Sequence, residues 1–131
     1  MSDCSNPFPL FPTSIAGVTL GGYICNASGP RCTTLEELQA LGNSGSAAIM
    51  MKSCTLQARE GNPEPRYAAL DCGAIQAMGL PNLGYQEYIG FTHHLKEAFP
   101  NKPVIASIAG LCTDDFPVMV KALQEESVAD L

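Results

Sequence analysis

Ala47-Ala48-Ile49-Met50-Met51-Lys52-Ser53 is the stretch on which the fold turns. Five apolar residues in a row, with no polar alternation, describe a strand covered on both faces, as in a parallel sheet flanked by helices. The run stops abruptly at a lysine. An ammonium placed directly after such a strand must reach back to water or meet an anion.

Upstream, Thr33-Thr34 followed by Glu36-Glu37 is a doubled capping-box signature with acids in the first helical turn. Leu35, Leu38 and Leu41 follow at helical spacing, and Gly42 or Gly45 ends the run. Earlier still, 15–20 is strand-like, Gly21-Gly22 offers a reversal, and Tyr23-Ile24-Cys25 resumes an extended run. This predicts a hairpin feeding a buried strand that ends at Asn26-Ala27-Ser28-Gly29. Pro7, Pro9 and Pro12 make residues 1–12 an irregular leader.

Downstream, 53–83 is rich in Gly, Pro and Asn, with short strand-like pieces at 67–70 and 74–77. Strand-to-helix connections normally take about 2–6 residues, so a long excursion here marks an active-site loop. A helix is predicted over 85–99, with Tyr88, Phe91, His94, Leu95 and Phe99 along its apolar stripe. Residues 103–109 form another buried strand, and Thr113-Asp114-Asp115 opens a last helix to about Glu126, both aspartates acting as capping charge.

The order is hairpin, β, α, β, excursion, α, β, α. That is an α/β chain with a parallel sheet and helices outside it. A fourth strand is due at 128–131. Three βα units cannot close an eight-stranded barrel, which takes about 250 residues. With a (β/α)8 TIM barrel as parent fold, 1–131 supplies its N-terminal hairpin and about the first three βα units, within one domain.

Composition narrows the function. The 131 residues are 46% apolar and 15% charged, which excludes a disordered tail or a coiled coil. A net charge of −6 argues against nucleic-acid and anionic-membrane partners. No apolar run approaches the ~20 residues of a membrane span, and the leader lacks a secretory signature, so a soluble cytoplasmic protein is expected. The six cysteines form no C-x-x-C pair, which leaves no structural metal and suggests small buried residues in a reduced compartment. His93-His94 reads as one packed and one solvated helical residue rather than a metal site. No G-x-G-x-x-G, P-loop or G-x-S-x-G occurs.

In parallel α/β folds chemistry gathers at the C-terminal ends of strands, here Asn26 to Gly29, Lys52-Ser53 and Ser107 to Gly110. Small residues there let a flat ligand approach, and hydroxyls or an ammonium supply donors. Lys52, Arg59 and Arg66 place three of the seven cations close together, a cluster suited to a phosphate or carboxylate. Local pairing of the arginines with Glu60 and Glu64 is the competing reading. Met78-Gly79-Leu80-Pro81-Asn82 is a glycine-centred turn able to present backbone groups to a ligand.

Asn26-Ala27-Ser28-Gly29, Lys52-Ser53-Cys54, Arg59-Glu60-Gly61-Asn62-Pro63-Glu64-Pro65-Arg66-Tyr67 and Met78-Gly79-Leu80-Pro81-Asn82, in this order and spacing, resemble the soluble, fumarate-using class of dihydroorotate dehydrogenases. Ser107-Ile108-Ala109-Gly110 resembles that family's third barrel strand. The resemblance implies an FMN-containing barrel, cytoplasmic and homodimeric, that oxidises dihydroorotate to orotate in pyrimidine biosynthesis with fumarate as acceptor. It implies FMN contacts at Ala27, Ser28, Lys52 and Ser53. Lys52 would also reach the substrate carboxylate and act electrostatically, Met78, Gly79 and Leu80 would hold the pyrimidine, and Arg59 and Arg66 would support the site.

Two departures stand out. The family reads Asn-Ser before the Met-Gly-Leu-Pro-Asn motif, and that asparagine binds orotate; here the pair is Gln76-Ala77, with Gln76 in the substrate-binding role. The family's catalytic-base cysteine, on a loop after strand four, has no counterpart among the six cysteines. A related FMN oxidoreductase acting on another pyrimidine, similar to dihydropyrimidine dehydrogenase, is the alternative enzyme, and a non-catalytic truncated chain acting only as a partner is the alternative outside catalysis.

Overall fold

The computed structural model describes residues 11–126 and 129–131, so the predicted leader lies almost wholly outside the described residues. Its centre is a parallel pair. β3 (Ile49–Met50) runs beside β6 (Val104–Ile105) in the register Ile49↔Val104 and Met50↔Ile105, and a further parallel bridge joins Cys54 to Ile108. This is the arrangement the 47–51 run predicts.

Side-chain alternation along this pair separates two faces. Ile49, Met51 and Val104 are buried against the helices, while Met50 and Ile105, on the opposite face, are only partly covered. α1 (Leu35–Gly42) packs on β3 and on α2 (Tyr85–Ala98), and α2 packs on β6. Leu38, Tyr88 and Leu95 fill the layer between, joined by Met119 from α3 (Asp115–Glu125). Thr34 caps α1 with the full reciprocal box to Glu37, as its sequence predicts.

Both flanks of the pair are partly dressed. Ala47 N–H donates to the Ile24 carbonyl (2.9 Å). The Asn26 amide then stands in for a peptide group, accepting from Met50 N–H (2.9 Å) and donating to Met50 C=O (2.7 Å). On the far side Asp130 N–H donates to Val104 C=O (2.9 Å), and Ala106 N–H to Leu131 C=O (2.7 Å). Residues 129–131 therefore run alongside β6 in its own direction, where a fourth strand is expected. The Asp130 carboxylate also accepts from Lys96 Nζ (2.7 Å) and Val104 N–H (2.9 Å). Burial raises its pKa, but these bonds outweigh that and hold it below the ordinary value. The sheet is open: the described residues form an α/β unit with no closed barrel.

Several local expectations are corrected. The N-terminal hairpin joins β1 (Thr13–Ile15) to β2 (Val18–Leu20) and turns at Ala16-Gly17, not at Gly21-Gly22. Both turn residues have positive φ (48° and 85°), as a two-residue hairpin turn demands, and an alanine gives no sequence signal for that. Tyr23 and Ile24 are 69% and 65% exposed rather than part of a buried strand, because the described residues supply no surface to cover them. In α2 the stripe is closed by Thr92, whose hydroxyl satisfies itself on the Tyr88 carbonyl (2.8 Å), while His93 and His94 are both exposed. Asp114 makes no capping bond. Asp115 instead accepts from Leu111 and Cys112 N–H, and with the Cys112 thiol these bonds depress its pKa. Of the five described cysteines only Cys32 and Cys54 are buried; Cys25, Cys72 and Cys112 are exposed.

Candidate active site at the strand ends

Lys52 follows β3 and is 8% exposed. Its Nζ donates to the Ser28 carbonyl (2.9 Å), at the end of the 23–26 segment. Among the described residues no carboxylate lies within ion-pair distance of it. A buried ammonium met by one carbonyl dipole and no carboxylate keeps an uncompensated charge. The next residue extends the platform. Ser53 Oγ donates to Ser28 Oγ (3.0 Å) and lies 2.8 Å from Ser107 Oγ, at the end of the third strand. The ends of β3 and β6 and the loop at Ser28 thus converge through three hydroxyls and one ammonium. Ala27, exposed beside them, has no side chain beyond Cβ to obstruct a ligand; its carbonyl accepts from Gly29 N–H (2.7 Å).

Cys54 lies behind this platform. Its thiol donates to the Ser107 carbonyl (3.4 Å), and burial pushes its pKa to about 11, so at neutral pH it is a neutral thiol and not a base.

The excursion leaves the platform at Thr55 and returns to it at Asn82. Asn82 is 3% exposed, and its Oδ1 accepts from Thr55 N–H (3.1 Å) and Gly84 N–H (2.9 Å). Its Nδ2 donates to Thr55 Oγ1 (3.1 Å) and the Leu80 carbonyl (3.0 Å). Arg59 and Asn82 also pair through their backbones. This clamp holds the Met78-Gly79-Leu80 turn next to the end of β3. Gly79 sits at φ 75°, where a Cβ would come within 2.5 Å of Asn62 N; Leu80 adopts φ 57° without that freedom. Arg59 reaches the Gly79 carbonyl through Nη2 (3.4 Å), and its buried Nε has no partner.

The remaining predicted site residues lie farther out along the excursion. Its hairpin joins β4 (Tyr67–Leu70) to β5 (Gly73–Gln76), every residue of both strands being exposed. Gln76 Oε1 accepts from Met78 N–H (3.0 Å), so its amide oxygen is used within the turn. Arg66 pairs with Glu64 through its guanidinium and its backbone N–H (3.0 Å), which hold the Glu64 carboxyl below its ordinary pKa, and it also donates to the Glu60 carbonyl (2.7 Å). The local pairing weighed from sequence is the one Arg66 makes, whereas Arg59 forms no ion pair among the described residues.

A sequence profile of the family described as dihydroorotate dehydrogenase matches residues 10–131. The chain belongs to the dihydroorotate dehydrogenase family. It is 40% identical over 115 residues to a putative dihydroorotate dehydrogenase A (fumarate) of Streptococcus agalactiae, covering 88% of this chain and 37% of that protein. It is 38% identical over 123 residues to the dihydroorotate dehydrogenase A (fumarate) of Lactococcus lactis subsp. lactis, covering 93% and 40%. A probable dihydroorotate dehydrogenase A (fumarate) of Streptococcus pneumoniae is 36% identical over 119 residues, covering 91% and 38%. The chain therefore spans about two fifths of the length of these relatives.

Of four further structural contributors, sequence reasoning passed over Thr55, while Asn26, Asn82 and Ser107 fall in stretches it singled out without giving them these side-chain roles. Their signal lies in position. Each is a short polar residue where one segment meets its neighbour: Asn26, Thr55 and Asn82 bond backbone groups there, and Ser107 bonds the Ser53 hydroxyl.

Proposed function

We propose that this chain is the N-terminal part of a soluble, fumarate-using dihydroorotate dehydrogenase, an FMN enzyme on a (β/α)8 barrel that oxidises dihydroorotate to orotate in pyrimidine biosynthesis. Residues 1–131 would form part of a single barrel domain, with 53–83 as its active-site excursion. The observation that carries this reading is Lys52, buried at the end of a strand with no carboxylate partner among the described residues. The share of the relatives' length that is matched supports the partial barrel. Their naming as fumarate enzymes supports the acceptor. The family resemblance supplies the cytoplasmic location and the homodimer.

The strand ends fit a flavin chemically. A flat ligand with carbonyl and ring-nitrogen acceptors needs donors on a small-residue platform, and Ser28 and Lys52 supply them beside Ala27, with Ser53 in the same array donating to Ser28. FMN, when bound, would supply the hydride-accepting chemistry. Lys52 would hold negative charge on the substrate carboxylate and the reduced cofactor, a preformed electrostatic contribution that needs no rearrangement. The Met78-Gly79-Leu80 backbone and Gln76 would orient the pyrimidine, while Arg59 and Arg66 support the loop that carries them. The proton-abstracting base is outside the residues described. Steady-state assay of the full-length protein tests this: dihydroorotate should be oxidised with fumarate as acceptor, while preferential oxidation of dihydrouracil would move the assignment to a different pyrimidine.

A further inference from the structure

Each serine hydroxyl carries one proton, and this constraint gives the three-serine contact a direction. Ser53 donates to Ser28 (3.0 Å). Its single proton is then committed, so the 2.8 Å contact with Ser107 is Ser107 donating to Ser53. The chain runs from Ser107, beyond β6, to Ser53, beyond β3, and on to Ser28. Its last member, Ser28, has a lone pair occupied by Ser53 and its own proton left for an outside acceptor.

We propose that Ser107 is a positioning residue whose hydroxyl, acting through Ser53, aims the Ser28 proton at the ligand held by the strand ends. The inference rests on the flavin-enzyme reading and deepens it. Ser107 is itself fixed in the ladder, its carbonyl accepting from Cys54 N–H (2.9 Å), and Ser28 is fixed by the Lys52 ammonium on its carbonyl (2.9 Å). With both ends anchored, each hydroxyl polarises the next, and the terminal donor is stronger and better oriented than an isolated serine. Removing the Ser107 hydroxyl leaves Ser53 free to turn its proton elsewhere, and Ser28 loses its fixed direction although no ligand-contacting atom has changed.

The test compares full-length wild type, Ser107→Ala and Ser107→Thr. Apoprotein is titrated with FMN by fluorescence quenching well below every melting transition, and the visible spectrum of bound FMN is recorded. Ser107→Ala should raise the FMN dissociation constant about 3–10-fold, the scale of one hydrogen bond. It should also move the flavin band toward that of free FMN, and Ser107→Thr, which keeps the hydroxyl, should restore both. Unchanged affinity and spectrum in Ser107→Ala would overturn the proposal, as would equal losses in Ser107→Thr and Ser107→Ala. A lowered apoprotein melting temperature with normal FMN affinity would also overturn it, by showing a mere strut. A wild-type protein that binds no FMN would instead overturn the flavin reading beneath it.

Discussion

At the strand ends Lys52 is 8% exposed, and its ammonium is tied to a residue 24 positions away. In the excursion hairpin every residue of β4 and β5 is exposed, Tyr67 and Ile75 at 63% each. Both regions belong to the same proposed site, yet they are ordered by different means. The platform inherits its geometry from the core, because Ile49, Met51 and Val104 fix the strands and the strands fix the serines and the lysine. The hairpin has its own ladder, tied at its base by Asn62, whose Nδ2 donates to the Ala77 carbonyl (2.9 Å), while Asn82 clamps the turn that follows it. A parallel α/β fold thus delivers a rigid donor array at its strand ends and leaves the covering loop to polar clamps.

The contrast can be broken most severely by testing residues 1–131 in isolation. The platform's order depends on a sheet whose flank at Tyr23 and Ile24 is uncovered among the described residues. The apolar layers that fill a barrel come from strands all around it. The isolated chain should neither melt cooperatively in calorimetry nor retain FMN through gel filtration; a sharp transition with bound flavin would show that the platform stands by itself.

Breaking the clamp comes next. Asn82→Ala strips partners from buried Thr55 and from Gly84 N–H, and should destabilise the full-length protein by about 3 kcal/mol in urea unfolding. A change below about 0.5 kcal/mol would mean that the excursion is held elsewhere.

Gln76 sits at the junction of the two regions. Gln76→Ala removes the acceptor for Met78 N–H and the amide proposed for the pyrimidine. Calorimetric titration should show orotate binding weakened by about 1–3 kcal/mol. Unchanged affinity would assign the side chain to the turn alone.

The smallest effect belongs to the hairpin surface. Ile75→Thr keeps strand propensity on an exposed position and should change stability by no more than about 0.5 kcal/mol. A larger loss in the full-length protein would show that this face is covered there.

How much was legible in sequence follows the same division. The Thr34 box and the stripe through Tyr88 and Leu95 appear where capping and periodicity place them, while the 47–51 and 103–109 runs pair in parallel as expected but form strands only over Ile49–Met50 and Val104–Ile105. Lys52 was visible as a charge with nowhere apolar to go. Single-residue backbone choices carry no such pattern. Ala16 at φ 48° and Leu80 at φ 57° occupy the left-handed region without glycine. Thr92 entered the core because its hydroxyl bonds its own helix, which hydropathy does not register. Asp114 makes no capping bond, and the Asp115 carboxylate turns back to two N–H groups of the preceding loop, a choice that the Asp-Asp pair does not reveal. The serine chain was likewise hidden: Ser28, Ser53 and Ser107 are distant in sequence and meet only once β3 and β6 lie in register and Lys52 holds Ser28 against them.

The central claim is that Lys52 is buried for a ligand and not for the fold, and Lys52→Met tests it most directly. Methionine keeps the length of the side chain and removes the charge. Orotate affinity and thermal stability should be measured together on the same full-length FMN-loaded protein. Orotate affinity should fall by about 10²-fold, the scale of losing a preformed electrostatic partner, while the melting temperature holds or rises because a desolvated charge is gone. Orotate affinity retained with a marked fall in melting temperature would contradict the account and make Lys52 a structural strut between the end of β3 and Ser28.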